Sequence, residues 1–320
     1  MRIAVTGSIA TDHLLTFDGR FVEQLLPDQL DKLSVVFLAS DLQIRRGGTG
    51  ANIAFGMGVL GQRPLLIGSV GKDAADYLVW LGDHGVDTSG VRVSETLASP
   101  RFTVTTDNDQ NQIGAFYPGA MAEAVNIELR GFGDLDLVVV VPNDPGAMIR
   151  HSAECRERGI PFAADPSQTL TFLDGDSIRQ LVDGATYLFT NEYEAGLVAD
   201  KTGWSNDDIV SLVQTRVTTR GADGIVVERK GEDPIRVPVV PAEKIAEPTG
   251  VGDAFRAGFL SATSWGLGLE RACQVGALLA THVVETVGTQ EYAYVSSRFL
   301  ERLGAAYGDD AAAEVQPHLA

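Results

Sequence analysis

The feature that most restricts this chain is a rhythm that sets in at Leu135. Short apolar runs, Leu137-Val138-Val139-Val140-Val141, Pro161-Phe162-Ala163-Ala164-Asp165 and Tyr187-Leu188-Phe189-Thr190, alternate with helical segments through Cys155 and near Ile178 to Val182. A strand apolar at every position must be buried on both faces, so the alternation predicts a parallel sheet covered by helices on each side. The length of 320 residues fits one large α/β domain or two ordinary ones, and 44% hydrophobic residues supply a substantial core.

Charge narrows the partners. With 43 acidic against 25 basic residues the formal charge is −18, which disfavours nucleic acid polymers and anionic membrane surfaces. A small neutral or sugar-like substrate is easier to hold, and a nucleotide polyphosphate can still bind locally through backbone amides and a metal ion. Cys155 and Cys273 are too few for a disulfide framework and read as buried or idle thiols. Arg2 to Gly7 form a strand with no signal-type segment before it, and no later run reaches membrane-spanning length, so a soluble, cytoplasmic protein is expected.

The stretch Glu247-Pro248-Thr249-Gly250-Val251-Gly252-Asp253-Ala254-Phe255 is a glycine turn opening a helix. The first amides of a helix lack internal partners and the dipole there is positive, so such a turn can receive the charge on transferred phosphate oxygens. Asp253 would stand beside that phosphate and accept the proton of an attacking alcohol. A plain helix cap is the other reading of the turn.

Other pieces gather toward strand ends, where open α/β sheets bind ligands. Ser8 and Asp12 follow the first strand, and Asp12 suits hydroxyl recognition as well as it suits a solvated turn. A first non-alternating excursion runs from about Leu14 to Ile44, with Ser34-Val35-Val36-Phe37-Leu38 read as a strand, and ends at Gly47-Gly48 and a helix bearing Asn52. Gly48 permits close backbone approach, and the Asn52 amide can donate to and accept from hydroxyls; a helix cap competes with both roles. A second excursion, Arg101 to Thr106 and Gln112 to Tyr117, reads as a β-hairpin whose Phe102 and Phe116 can stack on a planar base or simply pack.

Gly56-Met57-Gly58-Val59-Leu60-Gly61 satisfies the dinucleotide fingerprint, but it sits late in a helix and precedes a strand, the reverse of the required context. A P-loop lysine motif is missing from the sequence. His151 and Cys155 share a helix face, but two residues without further ligands fall short of a metal site. Asn191 and Glu194 can hold water around magnesium or can begin a helix, and Thr219 to Gly224 form the turn of a hairpin that can floor a nucleotide.

Taken in order, Gly47-Gly48 with Asn52, Asn191-x-x-Glu194, Thr219-x-Gly221-x-x-Gly224 and Thr249-Gly250-Val251-Gly252-Asp253 resemble the ribokinase-like (PfkB) carbohydrate kinase family across nearly the whole chain. Ala4 to His13, Phe116 to Met121 and Ala164 to Gln168 look like its bacterial adenosine kinase branch. The resemblance implies a three-layer α/β core of about 1–11, 47–98 and 120–320, with a small β-sheet lid of about 12–46 and 99–119. It implies an enzyme that uses ATP and Mg²⁺ to phosphorylate the 5′-hydroxyl of adenosine or a related nucleoside. Asp253 would be the base and the amides of Gly250, Val251 and Gly252 the anion hole. Ser8, Asp12, Gly48, Asn52, Phe102, Phe116 and Gln168 would hold the substrate, Asn191, Thr219, Gly221 and Gly224 the nucleotide, and Glu194 the metal through water. Glu247 stands where the family more often has Asp. A homodimer through the lid is expected, with Phe37 as a contact.

Two alternatives remain within this reading. One is a kinase of another nucleoside or of a free sugar such as ribose or fructose; the other is a nucleoside-binding regulator without turnover, which the complete glycine turn with Asp253 disfavours.

Overall fold

The computed structural model describes residues 1–25 and 34–319. The chain begins with β1 (Ile3–Thr6), β2 (Ala10–Phe17), the single turn α1 (Phe21–Gln24) and β3 (Ala39–Gly47). It continues through α2 (Thr49–Val59), β4 (Leu65–Val70), α3 (Ala75–Asp83), β5 (Asp87–Val93) and the hairpin β6 (Arg101–Thr106) and β7 (Gln112–Tyr117). The regular half follows as β8 (Leu137–Val140), α4 (Pro145–Arg158), β9 (Phe162–Ala164), α5 (Gly175–Val182), β10 (Tyr187–Asn191), α6 (Glu192–Thr202) and α7 (Asn206–Leu212). β11 (Thr215–Thr219), β12 (Ile225–Glu228) and β13 (Ile235–Val237) complete the strands, and α8 (Val251–Ser264), α9 (Leu269–Val284), α10 (Ser296–Tyr307) and α11 (Asp309–Val315) close the chain.

Nine strands form one sheet in the order β13-β12-β11-β10-β9-β8-β1-β4-β5, parallel from β11 through β5 and antiparallel at β12 and β13. Its apolar strands are buried on both faces, as their composition requires. Ile3 and Val5 enter one core with Phe55, Phe259 and Leu278, while Ala4 between them joins a second core with Met148, Ile178 and Leu181. Successive side chains of a strand point to opposite faces, so this division makes three layers.

A separate four-stranded sheet, β3-β2-β6-β7, comes from the two excursions. Its register places Asp12 beside both Arg45 and Phe102, and Phe102 opposite Phe116. Two expectations change here. Asp12 lies inside a strand rather than in a turn, and residues 34–38 are not a strand, which starts only at Ala39. Phe37 packs within its own chain, with ring centroids 5.1 Å from Phe17 and 4.8 Å from Phe21, while its neighbours Val36 and Leu38 are exposed. A half-buried aromatic anchors a segment that makes no ladder. The segment 26–33, part of the first excursion, lies outside the described residues.

The fingerprint-like glycines fall within α2 and just after it, ahead of β4. His151 is spent: its Nε2 donates to the Ile127 carbonyl at 3.0 Å, so its Nδ1 accepts from the Thr6 hydroxyl at 2.8 Å. Among the described residues no three acidic, His or Cys side chains cluster to hold a metal ion, and no helix is long and apolar enough to cross a membrane. Cys155 and Cys273 are buried and unpaired, and burial pushes each thiol up to about 12.

Candidate active site

Gly250 caps α8 with φ at +78°, in the left-handed region that favours glycine. A β-carbon there would come within 2.8 Å of Thr289 Cγ2, so a larger residue is excluded on two grounds. No side chain caps the helix, and the first-turn amides keep the unpartnered state that helix geometry imposes. Of the three expected anion-hole amides, that of Val251 makes only a long 3.4 Å bond to the Pro248 carbonyl.

Asp253, in that first turn, is brought against Asn52 of α2, whose Nδ2 donates to Asp253 Oδ2 at 2.8 Å. Burial pushes the Asp253 carboxyl up to about 7; Asp165 and Glu194 push the same way, against the Asn52 hydrogen bond and the Arg256 guanidinium. A carboxylate held near neutrality suits general base catalysis. Beneath it, Arg256 donates from Nη2 to Asp165 Oδ1 at 2.8 Å and from Nη1 to the Gly252 carbonyl at 3.0 Å, bracing the turn. Arg256 stands three residues after Asp253, and that helical spacing was the one sign of it in the sequence.

A cavity of about 260 Å³ opens between this turn and the small sheet, lined among others by Asp12, Phe102, Arg45, Glu247, Thr249 and Thr289. It lies near the lower margin of small-molecule pockets, which run from about 300 to 1,000 Å³. Burial and the Glu247 charge raise the Asp12 carboxyl to about 6, while Arg45 lowers it. Glu247 itself accepts from Arg45 Nη1 at 2.7 Å and from the Gly288 amide at 3.0 Å, so β3 of the small sheet is tied to the glycine turn.

The remaining expected residues separate into those at the cavity and those away from it. Phe102 lines it; Phe116, its cross-strand partner on the same face, is half exposed and stands further out. Ser8 is buried and its Oγ accepts from the Thr49 amide at 3.0 Å, at the start of α2. Gly48 has φ at +93°, and a β-carbon would meet the Ser8 carbonyl at 2.6 Å, so glycine is required there by the chain's own backbone. Gln168 is exposed and accepts from the Ser167 hydroxyl at 2.8 Å. Asn52 is turned with its Oδ1 inward, where it receives Gln290 Nε2 at 2.9 Å and faces the Thr289 hydroxyl at 2.9 Å, which also has the Arg46 carbonyl at 3.0 Å.

Asn191 and Glu194 form a capping box at the start of α6, with reciprocal bonds of 2.8 and 2.7 Å. That box uses one Glu194 oxygen; among the described residues the nearest hydrogen-bonding group to Oε1 is the Ser167 hydroxyl at 3.5 Å, whose proton goes to Gln168 at 2.8 Å. Magnesium needs few protein carboxylates and keeps several waters, so a largely buried carboxylate with one uncommitted oxygen fits it. Thr219, Gly221 and Gly224 form the β11–β12 connection as expected; Gly221 borders open space, whereas a β-carbon on Gly224 would strike the Val237 carbonyl at 2.3 Å. A larger cavity of about 380 Å³ lies at the opposite end of β12, between Asn206 and Pro234, away from these residues.

A parallel sheet covered on both faces, a small second sheet and a half-buried carboxylate at a helix-opening glycine turn define the class: an α/β kinase of the ribokinase fold, acting on an alcohol group. More particularly, the chain belongs to the pfkB family of carbohydrate kinases, whose family model matches residues 9–294. It is 30% identical over 259 residues to the nucleoside kinase of Methanocaldococcus jannaschii, covering 80% of this chain and 85% of that protein. The structure of Burkholderia thailandensis nucleoside kinase in complex with inosine superposes with a TM-score of 0.84 at 36% identity, covering 96% of this chain and 98% of that one. Ribokinase of Bacillus subtilis is 26% identical over 296 residues, 90% of this chain and 94% of its own length.

Proposed function

We propose that the protein is an ATP-dependent nucleoside kinase that transfers a phosphoryl group to the 5′-hydroxyl of a purine nucleoside, adenosine first, giving the nucleoside monophosphate and ADP. The observation that carries this reading is Asp253. It is a half-buried carboxylate raised by desolvation to about 7, at the uncapped start of α8, whose preceding turn contributes Thr249 to a cavity with an aromatic wall.

In this reading Asp253 takes the proton of the attacking hydroxyl. The amides of Gly250, Val251 and Gly252 receive the charge developing on the transferred phosphoryl oxygens, which is most of what such a reaction asks of a protein. Asp12 and the second Nδ2 hydrogen of Asn52 orient the ribose, and Phe102 stacks on the base. Thr219, Gly221 and Asn191 border the nucleotide, and Glu194 would hold water around Mg²⁺, which neutralises phosphate charge when bound. Two relatives named nucleoside kinases support a nucleoside acceptor over a free sugar, as does Phe102 in the cavity.

A panel of adenosine, inosine, other nucleosides, ribose and fructose assayed with Mg-ATP tests the proposal. Highest kcat/KM on a purine nucleoside is expected, and a preference for a free sugar would overturn it.

A further inference from the structure

Asn52 is an amide, and which of its two ends faces Asp253 decides whether the carboxylate gains a hydrogen bond or meets a second acceptor. We propose that Trp80 and Gln290 are positioning residues: through a hydrogen-bond chain with one permitted polarity, they hold the Asn52 amide with its nitrogen against Asp253. The inference deepens the reading of Asp253 as the base and rests on it.

The chain starts from two groups whose roles cannot invert. The Gly47 carbonyl, at the end of β3, can only accept, so the Tyr77 hydroxyl 2.8 Å away spends its proton there. The Tyr77 oxygen must then accept from Gln290 Nε2, at 2.6 Å. The Trp80 indole N–H can only donate, and it lies 3.2 Å from Gln290 Oε1. The Gln290 amide is therefore oriented from both ends, and its remaining Nε2 hydrogen goes to Asn52 Oδ1 at 2.9 Å. That bond turns the Asn52 nitrogen to Asp253 Oδ2, at 2.8 Å. The Thr289 hydroxyl, 2.9 Å from Asn52 Oδ1, has the Arg46 carbonyl at 3.0 Å as its other acceptor and does not set the polarity.

Tyr77, Gln290 and Asn52 are all buried, so water does not compete for these positions, and an inverted amide would leave two acceptors facing each other at a cost. The chain joins α3, the end of β3 and the loop after α9, three regions with no proximity in sequence. Its last bond favours the ionised form of Asp253 together with Arg256 of the same helix. It opposes burial and the carboxylates of Asp165, which follows β9, and Glu194 in α6.

Gln290→Met removes both Nε2 donors and the Oε1 acceptor at nearly constant size. Trp80→Phe keeps a ring beside Phe55 and Arg46 but removes the fixed donor. For both, the acidic limb of the kcat/KM–pH profile should move up, by about half to one pH unit for Gln290→Met and less for Trp80→Phe. Near neutral pH kcat should fall up to about tenfold, with a smaller change in KM for the nucleoside. A role in packing alone would lower Tm and leave the limb in place.

The protonation of Asp253 is also read without turnover, from the pH dependence of the Tm difference between each variant and the same variant carrying Asp253→Asn. If Asp253→Asn alone keeps wild-type turnover, the base assignment fails, while this thermal titration still tests the chain. An Asp253 midpoint unchanged in both Gln290→Met and Trp80→Phe overturns the inference.

Discussion

The Arg256 guanidinium is paired with the Asp165 carboxylate across 2.8 Å, one helical turn beyond Asp253, and both side chains are sealed from solvent. Burial raises the Asp165 carboxyl to about 6 even with this partner in place. The pair therefore braces the glycine turn from beneath and supplies positive charge next to the base.

Breaking such a pair leaves a charge buried alone. Arg256→Met is expected to cost about 3–5 kcal/mol in urea unfolding. Adding Asp165→Asn should recover part of that loss, because the orphaned charge goes with it. If the single substitution proves neutral in unfolding, the pair has no bracing role.

Asp253→Asn keeps shape and removes the proton acceptor. Turnover should fall by about 10²–10⁴-fold, with nucleoside affinity by calorimetry nearly unchanged. In the wild type kcat/KM should rise with pH through about 7 as Asp253 ionises. Stability runs the other way. The folded value of about 7 exceeds the unfolded value of 3.8, so the stabilising protonated form is fully present below 3.8 and lost as pH rises through 7. The variant should thus melt above the wild type on the alkaline side, and the gap should close in acid.

The aromatic wall can be dissected by position. Phe102→Ala should weaken nucleoside binding by about 1–3 kcal/mol, the range of base stacking on aromatic side chains. Phe116→Ala, which removes a ring outside the cavity lining, should cost less. Equal losses in calorimetry would mean that both rings contact the base in the complex.

Much of the fold was legible because its signals are local. Runs such as Leu137 to Val140 cannot face water on either side, and small residues at Gly250 and Gly252 ahead of a helical run mark the turn that opens α8. The hairpin of β6 and β7 was readable from its alternating residues and polar turn. The strand expected over 34–38 is absent, and Phe37 there sits against Phe17 and Phe21, a contact that propensity does not encode.

The site divides in the same way. The sequence by itself determined that a carboxylate opens a helix after a glycine turn, that a double glycine precedes Asn52, and that aromatics mark a hairpin. Only the tertiary structure decided that Asn52 and Asp253 touch, that Arg45 of the small sheet holds Glu247, and that Asn52 has one orientation. The physical reason is that hydrogen-bond polarity and burial depend on what packs around a group. Those neighbours come from Tyr77, Trp80, Asp165 and Gln290, whose spacing along the chain carries no trace of their meeting.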